Sequence, residues 1–221
     1  MEIPKMASFK LAITIIISFS LCFLMLETEA AASSSEKVNL TVYYESLSKP
    51  CAEFIIRNLV EVFNRDLSDI LSLQLVPWAN ASINSTNNSI SCQNGLDECN
   101  LNSLESCILN LSDDVSKNYA LIYCFEFLVI EGRLKQWESC FSELDLPQKP
   151  VLKCYNQGNG TQPGRKYVNE TANLRPSHKF LPWVVVNNQP IGKDYANFTT
   201  YVCRAYNGPA LPAACNKQQS N

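Results

Sequence analysis

The chain has 221 residues, of which 46% are apolar and 18% charged, and its formal net charge at pH 7 is −3. This length suits one domain with its own core, and the balance of charges lacks the basic surface that nucleic-acid binding needs, so no nucleic-acid partner is expected. Ten cysteines beside a single histidine indicate an oxidising compartment, in which cysteines form disulfides.

The N-terminal segment has the pattern of a secretory signal peptide. Lys5 and Lys10 precede an apolar stretch over residues 11–26, and three alanines at 30–32 offer a cleavage site, so residues 1–32 are predicted to be removed. The alternative is an uncleaved anchor, but the stretch has only 16 residues, whereas a spanning helix needs about 20. We therefore expect no membrane association after cleavage.

Sequons support passage through the secretory pathway. N-x-[ST] triplets are spread along the whole mature chain, and residues 80–91 resemble a solvated loop that carries sugars. The predicted glycosylation sites are Asn39, Asn80, Asn84, Asn87, Asn110, Asn159, Asn169 and Asn197. The sequence thus predicts a glycoprotein of the lysosome or vacuole, or of the cell exterior.

The first structural elements are predicted to form a βαβ unit. Residues 38–44 alternate between apolar and polar side chains, which indicates a strand. Apolar side chains then recur at helical spacing from Ile55 to Phe63, which predicts a helix to about residue 66. Residues 73–78 form a second predicted strand.

The rest of the chain continues an α/β pattern. Residues 100–140 predict two or three helices, and residues 157–176, rich in Asn, Gly and Thr, predict a loop. Residues 180–188 predict a strand with a tight turn, followed by a closing helix over 198–205. The polar tail, residues 216–221, is expected to fray.

A strand that leads through a proline-containing turn into a helix is the arrangement used for thiol–disulfide exchange. The N-terminus of a helix stabilises a thiolate, which is the attacking species. A complete cycle normally needs two sulfurs in C-x-x-C, one to attack and one to resolve the mixed disulfide. Here the four residues are Ser48, Lys49, Pro50 and Cys51, so the first sulfur is missing.

Three stretches of sequence carry a family resemblance. Residues 43–47 read YYESL before the turn, and Pro176, His178 and the run PWVVVN at 182–187 lie downstream. The central motif comprises Cys92, Gln93, Asn94, Gly95, Glu98, Cys99, Asn102 and Cys107. Together they resemble the gamma-interferon-inducible lysosomal thiol reductase (GILT) family, whose motif is C-Q-H-G-x-x-E-C-x-x-N-x-x-x-x-C. Only Asn94, in place of His, departs from that motif.

The resemblance extends from about Val38 to Cys215 and implies a fold and an activity. It implies an α/β, thioredoxin-like domain over residues 33–215, stapled by disulfides, with a helical insertion at about 90–176. It also implies reduction of protein disulfides at acid pH in a lysosome-like lumen, without a cofactor. The bond between Leu181 and Pro182 would be cis, and Pro182, with Pro50, would line a groove for an extended polypeptide.

The departure at Ser48 limits the chemistry that the resemblance implies. Ser48 occupies the position of the nucleophilic cysteine and Cys51 that of the resolving one, so a two-sulfur cycle cannot run within this turn. One hypothesis is a weak oxidoreductase that uses Cys51 as a single thiol and forms mixed disulfides with clients or with glutathione. The alternative is a redox-silent glycoprotein that keeps the groove and binds unfolded polypeptides.

The number of cysteines leads to the same residue. Removal of Cys22 with the signal peptide leaves nine, an odd number, so one thiol is expected to be free, and Cys51 is the natural candidate. The other eight are expected to form bridges whose pairing the sequence leaves open. The gaps between Cys92, Cys99 and Cys107 exceed those typical of structural zinc sites, so no metal is expected.

Three further polar positions have two interpretations each. Residues 93–95 predict a tight turn with Gly95 at positive φ, or else a loop close to the Ser48–Cys51 turn, which we call the redox turn. His178 is interpreted as an exposed loop residue, or as a polar neighbour of that turn. Asp97 and Glu98 are expected to lie on a solvated face, with Glu98 kept as a motif position.

Overall fold

The computed structural model describes residues 37–158 and 160–216. The predicted signal peptide, the sequon at Asn159 and the last five residues of the tail lie outside the described residues. None of the helices in the described part of the chain is long and apolar enough to span a bilayer.

The predicted βαβ unit is present. Strand β1 (Val38–Tyr43) runs parallel to strand β2 (Leu71–Val76), and helix α1 (Lys49–Arg57) connects them, followed by the short helix α2 (Glu61–Asn64). The predicted single helix to residue 66 is therefore wrong beyond Arg57. Helix α1 ends at Arg57 because the backbone amides of Asn58 and Leu59 both donate to the carbonyl oxygen of Phe54.

A small hairpin and five helices separate β2 from the next strand of the main sheet. Strands β3 (Ser82–Ile83) and β4 (Ile90–Ser91) pair antiparallel within a mostly exposed stretch. The helices are α3 (Leu96–Leu111), α4 (Val115–Ile130), α5 (Ser139–Glu143), α6 (Gln148–Asn156) and α7 (Thr161–Ala172). The first three of them correspond to the predicted two or three helices.

Helix α7 contradicts the predicted loop at 157–176. Pro163 lies in the first turn of the helix, where the missing N–H of proline costs no hydrogen bond. Gly164 faces the ring of Trp78, and a Cβ added there would lie 2.9 Å from Cε2 of that ring. Glycine, which weakens an isolated helix, is thus required by close packing against the sheet layer.

The C-terminal part completes the sheet and closes the fold. Strand β5 (Trp183–Val186) pairs antiparallel with β1, so the order in the sheet is β2-β1-β5-β6, with β6 (Gln189–Pro190) at the edge. Asn187 and Asn188 both have positive φ, as the predicted tight turn requires. Helix α8 (Phe198–Ala205) and the short helix α9 (Ala213–Asn216) follow.

Three buried clusters occur in the described part of the chain, and two of them hold the Cys51 turn and the helical segment. The larger packs β1 and β2 against α1 and α8, with Leu40, Phe54 and Phe198 fully enclosed. The second lies within the helical segment, where Phe125 and Phe141 are the largest buried side chains. The sheet core therefore carries the turn that contains Cys51, and the helices carry their own core beside it.

Candidate functional site

The Ser48–Cys51 turn lies where β1 gives way to α1. Ser48 is the N-cap of α1, and its carbonyl oxygen accepts the first helical hydrogen bond, from the amide of Ala52 at 2.9 Å. Lys49 and Pro50 in the first turn are exposed, whereas Ser48 is partly buried. The Ser48 side chain makes no capping bond to the helix amides, and instead it hydrogen-bonds with the Cys51 thiol.

The Cys51 thiol is enclosed by the core. Its side chain has no exposed surface, and it belongs to the same buried cluster as Phe54 and Ile55. Burial raises the pKa of the Cys51 thiol to about 12, against the opposing effects of hydrogen bonds from Ser48 and from the backbone at Glu45. At pH 7 only about one thiol in 10⁵ would be ionised, and the thiolate is the form that attacks disulfides.

A cis proline lies beside the entry to this turn. The peptide bond between Leu181 and Pro182 is cis, as expected, but Pro182 itself is buried and Pro50 is the exposed member of the predicted groove pair. Because Tyr43 pairs with Trp183 across the antiparallel strands, Pro182 lies next to the segment that leads from β1 to Ser48. The bond between Arg175 and Pro176 is also cis, and no local pattern in the sequence distinguishes it from a trans bond.

The motif loop folds back toward the same region. Gly95 has φ +87°, which agrees with the predicted tight turn. The backbone and the side-chain amide of Asn94 both donate to Oε2 of Glu98 at 2.7 Å. Asn94 also hydrogen-bonds with Glu45, three residues before Ser48. The loop is thus both a tight turn and a neighbour of the redox turn.

Glu98 and His178 differ from the interpretations that placed them in solvent. Glu98 has no exposed surface, and its carboxylate accepts hydrogen bonds from the exposed Asn94 and from the buried Asn102. His178 is partly buried, and its Nε2 lies 2.9 Å from Oδ1 of Asn80. Burial lowers the pKa of His178. Since Asn80 also bonds to Glu45, His178 belongs to the polar surroundings of the turn.

Asn102 connects the motif helix to the strand end. Its Oδ1 accepts the hydroxyl of Ser46 at 2.6 Å and the backbone amide of Trp78 at 3.3 Å. Its Nδ2 lies 3.4 Å from Oε1 of Glu98. A buried amide with both ends occupied is well suited to fix the position of the chain that enters the redox turn.

Two buried acids and a tyrosine near the turn were not singled out from the sequence. The Tyr44 hydroxyl donates to Oε2 of Glu105 at 2.8 Å, and Glu126 contacts Glu105 from the neighbouring helix. All three side chains are fully buried. The one available signal was Glu126, a charged residue within the most apolar stretch of the mature chain.

The disulfides account for every cysteine of the described residues except Cys51. The bridges are Cys92–Cys99, Cys107–Cys154, Cys124–Cys140 and Cys203–Cys215. Cys51 is the free cysteine, as the odd count predicts. No cluster of three potential metal ligands occurs in residues 37–158 and 160–216.

Comparisons with known proteins place this geometry in a family. The sequence model of the gamma interferon inducible lysosomal thiol reductase (GILT) family matches residues 39–144. The gamma-interferon-responsive lysosomal thiol protein of Arabidopsis thaliana is 35% identical over 214 residues, covering 95% of this chain and 89% of the relative. The gamma-interferon-inducible lysosomal thiol reductase of Carassius auratus is 32% identical, covering 83% and 74%. The chain belongs to the GILT family.

Solved structures support the thioredoxin-like fold of this GILT protein. MdbA, a thiol-disulfide oxidoreductase from Actinomyces oris, matches with a TM-score of 0.57 at 9% identity and covers 78% of this chain and 83% of its own. DsbA of Chlamydia trachomatis matches with a TM-score of 0.50 at 15% identity, covering 71% and 79%. At these identities the likeness concerns the fold alone. Membership of the GILT family supports thiol–disulfide oxidoreductase chemistry.

The sequons of the GILT chain differ in exposure. Asn80 is partly buried, and its side chain bonds to His178 and Glu45. The other described sequon asparagines are exposed: Asn39, Asn84, Asn87, Asn110, Asn169 and Asn197. Glycosylation remains a prediction at all of these sites.

Proposed function

We propose that this GILT-family protein binds extended, disulfide-containing or unfolded polypeptides beside cis Pro182, and that its native turn reduces their disulfides very slowly. The observation that carries the proposal is the complete burial of Cys51, with Ser48 in place of the nucleophilic cysteine. The exposed Lys49 and Pro50 and the partly buried Ser48 offer a surface for a polypeptide next to that thiol.

The chemistry of the turn explains why binding dominates. A serine hydroxyl is not ionised at neutral or acid pH and cannot form a disulfide, so Ser48 cannot begin the exchange. Cys51 could begin it only as a thiolate, and burial raises its pKa to about 12. A client held beside Pro182 would therefore meet an almost entirely protonated, enclosed sulfur.

The second candidate function is catalytic exchange through Cys51 alone, at a rate clearly above the background, which the hydrogen bond from Ser48 favours because it stabilises the thiolate. The Cys51 thiolate would attack one sulfur of a client disulfide, forming a Cys51–client disulfide and releasing the other client sulfur as a thiolate. Glutathione thiolate would then attack the client sulfur of that bond, releasing the Cys51 thiolate and leaving glutathione on the client. A second glutathione would free the client and leave oxidised glutathione.

We also place the protein in the lumen of the secretory pathway or of a lysosome-like organelle. Four disulfides and a free thiol hidden in the core suit an oxidising lumen. Its relatives in Arabidopsis thaliana and Carassius auratus are a lysosomal thiol protein and a lysosomal thiol reductase, which supports the acidic end of that pathway.

A disulfide-reduction assay tests the catalytic part of the proposal. Insulin reduction would be measured at pH 5 and pH 7 with glutathione present, for the native protein, Ser48→Cys and Ser48→Ala. We expect the native protein and Ser48→Ala to stay near the background rate and Ser48→Cys to exceed them by at least about tenfold, because it restores a second sulfur. Native turnover equal to that of Ser48→Cys would contradict the proposal, as would an inactive but folded Ser48→Cys.

A binding assay tests the other part. Fluorescence anisotropy with a labelled, alkylated unfolded polypeptide would be compared for the native protein, Cys51→Ala and Pro182→Ala. We expect Cys51→Ala to bind as the native protein does and Pro182→Ala to bind several-fold more weakly, because the buried Pro182 supports the surface formed by Lys49 and Pro50 and the thiol does not. A large loss of affinity in Cys51→Ala alone would instead favour the monothiol candidate.

A further inference from the structure

Two glutamates are buried side by side without a cation. Glu105 of α3 and Glu126 of α4 have no exposed surface. The ion pairs among the described residues, Arg65–Glu61 and Lys117–Asp114, lie at the surface and involve neither of them. Two unpaired carboxylates in one buried site would carry a prohibitive cost in desolvation and repulsion, so the site must hold at least one proton.

The hydrogen bonds show where that proton belongs. Oε2 of Glu105 accepts the Tyr44 hydroxyl at 2.8 Å and the Ser46 hydroxyl at 3.1 Å. Within the described part of the chain, Oε1 of Glu105 and both carboxylate oxygens of Glu126 accept no hydrogen bond from a neighbouring donor. The side chains of Glu126 and Glu105 lie within hydrogen-bonding reach of each other. A protonated Glu126 that donates to Glu105 therefore satisfies groups that would otherwise be buried without partners.

We propose that Glu105 and Glu126 form a proton-dependent clamp that joins the helical segment to the strand end leading into the redox turn, and that the clamp weakens as pH rises. The clamp unites three elements. Tyr44 and Ser46 continue from β1 and lie two to four residues before Ser48, whereas the two glutamates come from α3 and α4. Each of the two helices is thereby tied to the segment that enters the turn.

The direction of the pH effect follows from the environment. Burial raises the pKa of Glu105 to about 7, and burial together with the neighbouring Glu105 raises the pKa of Glu126 well above its ordinary value. The folded protein therefore binds more protons here than the unfolded chain does. Stability from the clamp is fully present below about pH 4.5, where glutamates in the unfolded chain are protonated, and is lost as pH rises through the folded values.

Within the part of the chain that the structure describes, no facing group reverses the direction of this pH effect. The titratable groups around the pair are Tyr44 after β1, Cys51 of α1, Tyr167 of α7 and, next to Cys51, Glu45. None of them is a cation. Burial raises the pKa of Tyr44 and of Cys51 from ordinary values that already lie above 8, so both stay protonated across the range concerned. His178 has a lowered pKa and the opposite pH dependence, but it contacts Asn80 and not the pair.

Thermal unfolding of the native protein and of variants tests the clamp. We would measure Tm from pH 4.5 to pH 8 for the native protein, Glu126→Gln and the control Glu131→Gln, which changes an exposed glutamate just after α4. The native Tm should fall by about 5 °C or more between pH 5 and pH 7.5, and Glu131→Gln should behave alike. For Glu126→Gln, Tm should fall by at most half as much over the same pH range, since the side-chain amide at position 126 donates to Glu105 at every pH.

If Tm depended on pH equally steeply in the native protein and in Glu126→Gln, the proposal would be overturned. Should Glu126→Gln fail to fold, the native protein alone decides. Infrared spectra at pH 6 in deuterated buffer should show the carbonyl stretch of a protonated carboxylic acid that disappears on unfolding. Absence of that band at pH 6 would overturn the proposal by itself.

Discussion

Cys51 combines a reactive side chain with an unreactive position. Its sulfur lies in the first turn of a helix, where the backbone amides favour a thiolate, yet the surrounding core excludes water from it completely. The raised pKa shows that burial prevails over the helix terminus and over the hydrogen bond from Ser48. The thiol should therefore behave as a core residue.

Alkylation of the native protein should reveal this behaviour. We expect iodoacetamide at pH 8 to leave Cys51 unmodified over a period in which the urea-unfolded chain is fully labelled, because the thiolate fraction is small and the sulfur is enclosed. The measurement is the mass of the Cys51 peptide after digestion. The double variant Ser48→Cys with Cys51→Ala serves as the control, since its single thiol at the partly buried position 48 should be labelled under native conditions. Rapid labelling of Cys51 in the folded protein would contradict the burial.

The sequence could identify this residue but not its environment. An odd number of cysteines and the S-x-x-C spacing were sufficient to predict Cys51 as the free thiol. The pKa of the Cys51 thiol is raised first by burial and then by charged groups, among them Glu126 of α4, which lies more than seventy positions away along the chain. Contacts of that range leave no local pattern, which is also why Glu105 was missed.

At the level of elements, the strands were predictable and the helical segment only partly so. Alternation in β1 and the turn residues after β5 are local signals, and both strands occur where they were expected. Helix α7 was mistaken for a loop because Pro163 and Gly164 are read as helix breakers. Its packing against Trp78, which makes glycine necessary, is a tertiary contact and is invisible in a local window.

The disulfides within the helical segment should differ in their effect on stability. Cys107–Cys154 joins α3 to α6 across 47 residues, whereas Cys92–Cys99 closes a loop of 7. In the chain-entropy model, removing the first by double substitution to alanine should cost about 4 kcal/mol, and removing the second about 2 kcal/mol. Urea unfolding monitored by circular dichroism would measure both. A larger loss from the shorter loop would show that native contacts, and not chain entropy, dominate.

At the scale of the whole molecule, the positions of the sequons predict which asparagines can carry a glycan. Six described sequon asparagines point to solvent, but the carboxamide of Asn80 is engaged by His178 and Glu45 within the polar surroundings of the redox turn. A glycan on Nδ2 of Asn80 would replace one of the two hydrogens of that amide and would need space beside Glu45 in a partly buried position. We therefore expect the folded protein to lack a glycan at Asn80.

Site-by-site occupancy would check this map. Enzymatic deglycosylation in heavy-oxygen water marks each formerly glycosylated asparagine, and mass spectrometry reads the label. Asn110 and Asn169, both exposed on helices, provide matched positive controls. High occupancy at Asn80 in the folded protein would mean that the polar contacts around His178 do not form in the native state.

One edge of the main sheet offers little to a further strand. Strand β6 lies at that edge, is two residues long and ends in Pro190, which has no N–H to donate to a neighbour. An extended chain that meets this edge would therefore find almost no backbone groups to pair with. Growth of the sheet by addition of a strand is thus blocked beside β6.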